Sequence, residues 1–263
     1  MKKFPLLITV IHGGEKIPSE LRQYNNLTYS DILKDIDTFS RDIYDVSKGV
    51  QQYLDTEVAR PYIDLNRAVY DRPPENKDGV IKTETVFQVP VYKRGFFPDE
   101  NLTEKILQKY YYPFYSVLSE REAFPNLLAG FDCHTMLPLS PPVSSAPGIK
   151  RPLICLSNGG DREGKPLSKN KKTSCSADFI QQLAESFIHV LQCGKEQIGI
   201  NNPFRGGNVI QSRGKGIIPW VQIELNRKLY LNQHQPLKKD KNKIKEVNKL
   251  ILSVFKDFVS KLQ

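Results

Sequence analysis

The chain has 263 residues, of which 39% are hydrophobic and 25% are charged, a composition typical of a globular protein. No stretch approaches the roughly 20 apolar residues of a membrane helix, so we expect no membrane span. Much of the net charge of +9 comes from residues 165–172 and 238–245. Such runs favour a solvated surface, and because no recognisable nucleic-acid module accompanies them, we expect no nucleic-acid partner.

The four cysteines are widely spaced and include no CxxC pair, which argues against a scaffold held together by disulfides. The first apolar run is short, and no small-residue cleavage site follows it, so it predicts a core strand instead of a signal peptide. We therefore expect a cytoplasmic protein.

An apolar, β-branched run at residues 6–11 leads directly into His12-Gly13-Gly14-Glu15, which predicts a strand that ends in a turn. Two later stretches repeat this design: residues 129–134 end on His134, and residues 220–227 contain Glu224 near the end of an apolar run. In open α/β sheets, ligands bind at the carboxyl ends of the strands. We expect these three strand ends to converge on one site.

The first half of the chain is predicted to contain one long helix, because apolar residues recur at helical spacing over 31–54 and Ser30 is a suitable cap. Residues 57–65 predict a strand that runs into Asn66 and Arg67. The charged, proline-containing stretch 71–82 predicts a long loop of the kind that forms lids or binding loops. Residues 85–92 predict a short edge strand.

The second half is predicted to contain three helices and four strands. Helices are expected at 101–120 (interrupted at Pro113), from Ser174 or Ser176 to Leu191, and at 241–262. Strands are expected at 127–132, 153–156, 208–211 and 220–225. The alternation predicts one α/β domain over residues 1–263, with a mixed, mostly parallel sheet and helices on both faces.

Two of the four histidines, His12 and His134, lie at equivalent strand ends beside acidic residues, which favours a shared metal site. Neutral imidazole is the commonest metal ligand, and its second nitrogen is usually held by a carboxylate, for which Asp132 is a candidate. Catalytic zinc typically has three protein ligands. We therefore predict one Zn²⁺ per chain, with either Glu15 or Asp37 as the third ligand.

Glu224 stands among apolar neighbours, where an unpaired buried carboxylate would cost several kcal/mol. Beside a metal ion it could act as the general base of a hydrolytic reaction. The structural alternative is a salt bridge to Arg227 or Arg213.

Four arginines lie in or beside a predicted strand or glycine turn: Arg60, Arg67, Arg205 and Arg227. A planar guanidinium pairs with a carboxylate through two hydrogen bonds. A cluster of these arginines would select a substrate that carries one or two carboxylates.

Several segments, in order along residues 8–230, resemble the N-formylglutamate amidohydrolase family. They are His12-Gly13-Gly14, Asp35-Ile36-Asp37, residues 60–67 (RPYIDLNR), Asp132-Cys133-His134, residues 202–207 (NPFRGG) and residues 222–227 (QIELNR). A wider resemblance links the chain to zinc carboxypeptidases and aspartoacylase-type deacylases, which implies a three-layer, phosphorylase/hydrolase-like fold.

The resemblance implies that His12 and His134 are zinc ligands and that Glu224 is the general base. It also implies that Asn66 and Arg67 contact the substrate carboxylate, with Arg60 beside them. Family members often lack a glutamate at the position of Glu15, whereas the acidic pair Asp35 and Asp37 recurs. The lysine-rich stretch 163–172 fits the family poorly and is interpreted as an insertion.

We therefore predict a zinc-dependent amidohydrolase that acts on a small anionic N-acyl amino acid, such as N-formyl-L-glutamate. One alternative is a carboxypeptidase-like peptidase or peptidoglycan amidase. An alternative of another class is a basic binding protein without catalysis, which would show a steep salt dependence of polyanion binding.

Overall fold

A mixed β-sheet forms the centre of the molecule. The structure is a computed structural model and describes residues 3–213, 216–232 and 234–262. Its strands are β1 (Phe4–Val10), β2 (Val50–Asp55), β3 (Ala129–Met136), β4 (Ile154–Ser157), β5 (Ile198–Ile200) and β6 (Trp220–Asn226). They lie in the order β2-β1-β3-β6-β4-β5. All neighbouring pairs are parallel except β4 and β6.

Helices cover both faces of this sheet. They are α1 (Tyr29–Asp35), α2 (Ser40–Ile43), α3 (Glu100–Ile106), α4 (Tyr112–Glu122), α5 (Ala177–Leu191), α6 (Asn208–Arg213) and α7 (Lys241–Leu262). Short 3₁₀ helices occur at Ser19–Tyr24, Lys195–Gln197 and Arg227–Leu229, and a π turn at Leu107–Tyr111 links α3 to α4. In the part of the chain that the structure describes, no helix is both long and apolar enough to span a bilayer.

Two separate apolar cores, one on each face, show that the molecule has three layers. One core joins β1, β3 and β6 to α2, α5 and α7. The other joins the opposite face to α1, α3, α4 and α6. The predicted fold class, a three-layer α/β fold with a mostly parallel sheet, is confirmed.

The second face changes character along the strands, and this change creates the site. At the amino ends it carries Leu7, Gly130 and Trp220, which pack with the second core. Two residues further along each strand, the same face carries Thr9, Asp132 and Gln222, and His134 and Glu224 follow. Because side chains alternate between faces, every one of these polar groups points to the same side of the sheet.

The predicted long helix over 31–54 is wrong. Helix α1 begins after Thr28, whose side chain forms a capping box with Asp31, and it ends at Asp35. After the single turn of α2, the chain forms β2, which pairs in parallel with β1. Val50 and Leu54 have helical spacing, but this segment forms a strand because β1 offers it backbone hydrogen-bond partners. A local sequence pattern does not show which distant strand is available for pairing.

The predicted strands at 57–65 and 208–211 are also wrong. Residues 57–65 form turns with one isolated bridge, between Lys16 and Val58. Residues 208–211 lie in α6, whose first turn is capped from a distance: the Asn66 side chain accepts a hydrogen bond from Val209 N at 3.0 Å. The predicted edge strand at 85–92 is reduced to isolated bridges.

Other predicted elements are confirmed with small shifts. Helix α7 has the predicted bounds, α5 is capped by Ser176, and β6 begins at Trp220 as predicted. The helix around residue 113 is interrupted as expected, because proline lacks the N–H that would continue the ladder, and a π turn precedes it. Of the lysine-rich stretch 163–172, only Gly164 is buried.

Candidate active site

The two predicted strand-end histidines meet on the polar part of the sheet face. Their ring centroids lie 4.6 Å apart, with the rings nearly perpendicular. His12 follows β1, while His134 lies within β3 and is paired in register with Glu224 of β6. Parallel pairing of β1 with β3 and of β3 with β6 therefore brings the three predicted positions together.

Asp37 completes a compact cluster with these histidines. Its Oδ2 lies 3.0 Å from His134 Nδ1 and 3.9 Å from His12 Nδ1. All three side chains are buried, and their ligand atoms lie within 4.8 Å of one another. Two imidazoles and one carboxylate are a donor set found in catalytic zinc sites, so these residues could hold a metal ion.

Each imidazole is held from behind by a second carboxylate. His12 Nε2 is 2.7 Å from Asp64 Oδ1, and His134 Nε2 is 2.8 Å from Asp132 Oδ2. Thr9 in turn donates to Asp132 at 2.7 Å. A proton on Nε2 shared with the carboxylate leaves Nδ1 of each ring as the ligand atom, which is the usual support of a metal-binding histidine.

The charges of the cluster favour a cation. Burial lowers the pKa of His12, which keeps that ring neutral. Burial also opposes protonation of His134, but the carboxylates of Asp132 and Asp37 hold its pKa well above the usual value. Burial raises the pKa of Asp37, but the hydrogen bond to His134 outweighs this effect and holds the pKa of Asp37 well below the ordinary range. This carboxylate is therefore charged.

Glu15, the other candidate for the third ligand, lies outside the cluster. Its side chain is at the surface and accepts a hydrogen bond from the Tyr29 hydroxyl at 2.6 Å. The glycine turn explains the difference: a Cβ at Gly14 would lie 2.3 Å from the carbonyl oxygen of Val58, so the backbone passes close to that segment and carries Glu15 outward. Asp37 instead arrives after α1, where its N–H donates to the carbonyl of His12 at 2.9 Å.

Glu224 is buried beside the cluster. Its Oε1 accepts a hydrogen bond from Gln222 at 2.9 Å. Burial raises the pKa of Glu224 to about 7, against the opposing charge of His134. The salt bridge considered as the alternative role is absent from the described residues, because Arg227 faces Asp37 and Arg213 pairs with Glu122.

The five predicted substrate contacts line one cavity together with the cluster and Glu224. They are Arg60, Asn66, Arg67, Arg205 and Arg227. The volume of this cavity, about 330 Å³, is in the range of small-molecule sites. Leu137, Pro141 and Val143, in the loop that follows β3, also line this cavity.

Three of the four arginines already have partners within the protein. Arg60 Nε donates to Asp64 at 3.0 Å, and Arg67 pairs with Asp78. Arg227 is buried and donates to the carbonyl of Ile36 at 2.6 Å, which fixes the segment that presents Asp37. Arg205, by contrast, is exposed at the cavity wall.

Asn66 connects the sheet to the loops around the cavity. Its Nδ2 lies 3.2 Å from Gln222 Oε1 and 3.3 Å from His134 Nε2. A Cβ at Gly207 would lie 2.3 Å from the Asn66 carboxamide, so the glycine turn is needed for this close approach.

Sequence reasoning did not single out Asp64, Gln222 or Arg151, which also line the cavity. The signal for Asp64 was its position two residues before Asn66, and that for Gln222 was the strand period of two that places it with Glu224. Arg151 precedes a predicted strand without any motif, so nothing in the sequence marks it.

Comparison with known proteins relates this chain to one family and one fold. The family model of N-formylglutamate amidohydrolase matches residues 4–231. The chain is similar to the crystal structure of N-formylglutamate amidohydrolase from Ralstonia eutropha JMP134, with 16% identity, a TM-score of 0.74 and coverage of 99% of this chain and 95% of that one. It is also similar to a gene product of Agrobacterium tumefaciens, with 16% identity, a TM-score of 0.65 and coverage of 99% and 91%.

A search of curated proteins found no match. At 16% identity the two structural likenesses show a shared fold, while the family model spans most of the chain and includes every segment of the site described above. The chain therefore belongs to the N-formylglutamate amidohydrolase family.

Proposed function

We propose that this protein is a zinc-dependent amidohydrolase that cleaves the amide bond of a small N-acyl acidic amino acid, such as N-formyl-L-glutamate. The observation that carries the proposal is the buried cluster of His12, Asp37 and His134, with Glu224 beside it in the same cavity. Membership in an amidohydrolase family supports the reaction class.

The metal ion would be held by Nδ1 of both imidazoles and by the Asp37 carboxylate. When bound there, zinc supplies a Lewis acid that polarises the amide carbonyl and lowers the pKa of water to about 7. Asp64 and Asp132 keep the two rings in the ligating orientation and stabilise their interaction with a cation.

Glu224 would accept the proton of the attacking water and return it to the leaving nitrogen. In the metal-free protein burial raises the pKa of Glu224 to about 7, and a carboxylate that takes up a proton readily suits this double role. Gln222 donates to one of its oxygens and so fixes the direction in which the other oxygen faces.

The remaining residues of the cavity would position the substrate. Arg67 and Arg205 carry donors that suit carboxylate and carbonyl oxygens, and Asn66 and Arg227 complete the wall around the cluster. Arg60, fixed by Asp64, would stabilise the negative charge that develops on the carbonyl oxygen.

The proposal is tested first on the purified protein with elemental analysis and a formate-release assay. We expect one zinc per chain and release of formate from N-formyl-L-glutamate. The variant Glu224→Gln should keep its zinc and lose about 100- to 10,000-fold in kcat, the range of a general base. Glu185→Gln, at an exposed position of α5, is the matched control and should retain full activity.

A substrate panel tests the specificity. N-formyl and N-acetyl forms of glutamate, aspartate and leucine are compared with dipeptides and muramyl peptides. Preference for the acylated acidic amino acids supports the proposal, whereas turnover restricted to peptides would assign the site to the carboxypeptidase or amidase alternative. Full activity of Glu224→Gln would remove this residue from the mechanism.

A further inference from the structure

Two guanidinium groups of the active-site cavity, those of Arg151 and the exposed Arg205, are in no ion pair among the described residues. Arg60, Arg67 and Arg227 each lie within 4 Å of an aspartate. Among the ion pairs of the described residues, none includes Arg151, and its buried Nε has no hydrogen-bond partner there. Arg151 is half-buried, and it differs from these three arginines in having unused donors.

The position of Arg151 is nevertheless fixed. Its N–H donates to the carbonyl of Pro138 at 3.0 Å, and its own carbonyl accepts a hydrogen bond from the Asn226 side chain at 3.2 Å. The guanidinium lies over the ring of Phe204, with its carbon 4.8 Å from the ring centroid. A stacked cation of this kind is held in place on one face while the donors at its edge stay available.

Arg151 also shares its surroundings with the proposed general base. Burial lowers the pKa of Arg151, and the charge of Glu224 acts against this effect. Arginine still remains charged under these conditions. A partly desolvated cation with unused donors costs free energy unless a ligand satisfies it, and a carboxylate is the ligand that fits a guanidinium edge best.

We infer that Arg151 is a specificity-determining residue that binds a carboxylate of the substrate in the cavity beside the His12–Asp37–His134 cluster. The inference rests on the proposed function for the identity of the substrate. The carboxylate is either the α-carboxylate or the side-chain carboxylate of the amino acid, and the experiment below distinguishes the two.

The test combines one variant with one change of ligand. Binding of L-glutamate, L-glutamine and L-isoglutamine to the zinc-loaded full-length protein is measured by calorimetry, for the unchanged chain and for Arg151→Gln. Glutamine lacks the side-chain carboxylate and isoglutamine lacks the α-carboxylate. Arg162→Gln, at an exposed position outside the cavity, is the matched control.

We expect Arg151→Gln to weaken glutamate binding by about 10- to 100-fold, the usual effect of losing a charged hydrogen bond. One of the two amide ligands should bind the unchanged protein more weakly than glutamate does, by a similar factor. Arg151→Gln should not weaken the binding of that ligand further, because the contact is already absent. The ligand that shows this behaviour identifies the carboxylate. Arg162→Gln should bind all three ligands like the unchanged protein.

Equal weakening of all three ligands by Arg151→Gln, or no weakening of any, would overturn the inference. So would a fall in kcat toward N-formyl-L-glutamate with unchanged binding, since that result would place Arg151 on the developing oxyanion. Failure of the unchanged, zinc-loaded protein to bind any of the ligands would instead contradict the proposed function. If Arg151→Gln does not fold, Arg151→Lys replaces it, because lysine keeps the charge without the planar edge. Arg151→Lys should weaken the binding of glutamate more than the binding of the amide ligand that lacks the contacted carboxylate.

Discussion

Each imidazole of the candidate metal site is oriented by a carboxylate from a different part of the chain. Asp132 lies on the same strand as His134, two residues earlier, so the strand period alone places both on one face. Asp64 reaches His12 from the turns that follow β2 and also accepts a hydrogen bond from the N–H of Asn66 at 2.9 Å. The orientation of the two rings is therefore set before any ligand binds.

Asp132→Asn tests this support. An amide has no charge with which to stabilise the imidazole against a cation, so we expect the zinc affinity to fall about 10- to 100-fold. The affinity is measured by competition with a chromophoric chelator. Asp178→Asn, exposed on α5, should bind zinc like the unchanged protein. Equal affinities for both variants would mean that Asp132 does not support the metal site.

Glu224 predicts a pH dependence of the stability of the metal-free protein. Its pKa is about 7 in the folded state, against an ordinary value of 4.5 in the unfolded chain, because burial disfavours the charged form. Between pH 4.5 and about pH 7, Glu224 therefore holds a proton in the folded state and has released it in the unfolded chain. The contribution of Glu224 to the free energy of unfolding is therefore fully present below pH 4.5 and is lost as the pH rises through about 7.

Urea unfolding of the metal-free protein between about pH 4.5 and 8 measures this effect. Relative to Glu224→Gln, which cannot titrate, the unchanged protein should lose about 3 kcal/mol over this range, since one pKa unit corresponds to about 1.4 kcal/mol. The comparison removes the titration of groups that lie away from Glu224. A difference that is constant with pH would contradict the raised pKa.

At the scale of elements, the loop over residues 71–82 is joined to the site by charge. Asp78 pairs with Arg67 and lies 3.5 Å from Arg60. Lys82 has no exposed side-chain surface, pairs with Asp78, and lies 3.8 Å from the buried Asp35. The carboxylate of Asp78 therefore lies beside the arginines of the cavity. A substrate carboxylate must bind next to Asp78 or displace it from these arginines.

Lys82→Met tests the contribution of this network to stability. The variant leaves Asp35 buried without its cation, and we expect a loss of about 3–5 kcal/mol in the free energy of unfolding. Lys77→Met removes an exposed lysine that pairs with Glu84, just beyond the same loop, and it should cost less than about 1 kcal/mol. Urea unfolding measures both. Similar values for the two variants would mean that Lys82 does not offset the buried charge.

At the scale of the whole molecule, one face of the sheet packs a core and the other face also carries the candidate site. In β1, β3 and β6 the face toward α5 and α7 is apolar except at Thr135, near the carboxyl end of β3. The opposite face is apolar only at the amino ends and carries the site at the carboxyl ends. Stability can thus be changed on one face without direct contact with the site on the other.

Phe258→Ala in α7 tests this division. Phe258 is fully buried and packs against Phe131 and Phe179, with ring centroids 5.8 and 5.1 Å apart. We expect a loss of about 3–5 kcal/mol in the free energy of unfolding, with unchanged zinc affinity in the folded protein. Tyr70→Ala, at an aromatic residue that is 84% exposed, should change neither quantity. A parallel loss of zinc affinity in Phe258→Ala would show that the two faces are coupled.

The fold class and most of the later elements could be predicted because their patterns are long and uniform. Helix α7 has six apolar residues at helical spacing, and β6 has Val221, Ile223 and Leu225 at the strand period of two. The errors fall where a local pattern is ambiguous. Val50 and Leu54 fit a helix, yet they form an edge strand because β1 offers backbone partners, and residues 208–211 form a helix that a distant asparagine caps.

The order of residues is enough to predict which chemical groups end the strands: the imidazoles of residues 12 and 134 and the carboxylate of residue 224 each follow an apolar run that must enter the sheet. The folded chain was needed to establish that Asp37 and not Glu15 joins the imidazoles, and that three arginines are paired internally while Arg151 has no ion pair among the described residues. The physical reason is that strand ends are brought together by the regular geometry of a parallel sheet, whereas the position of a loop side chain depends on close backbone contacts, such as that of Gly14 with Val58, between segments far apart in the chain.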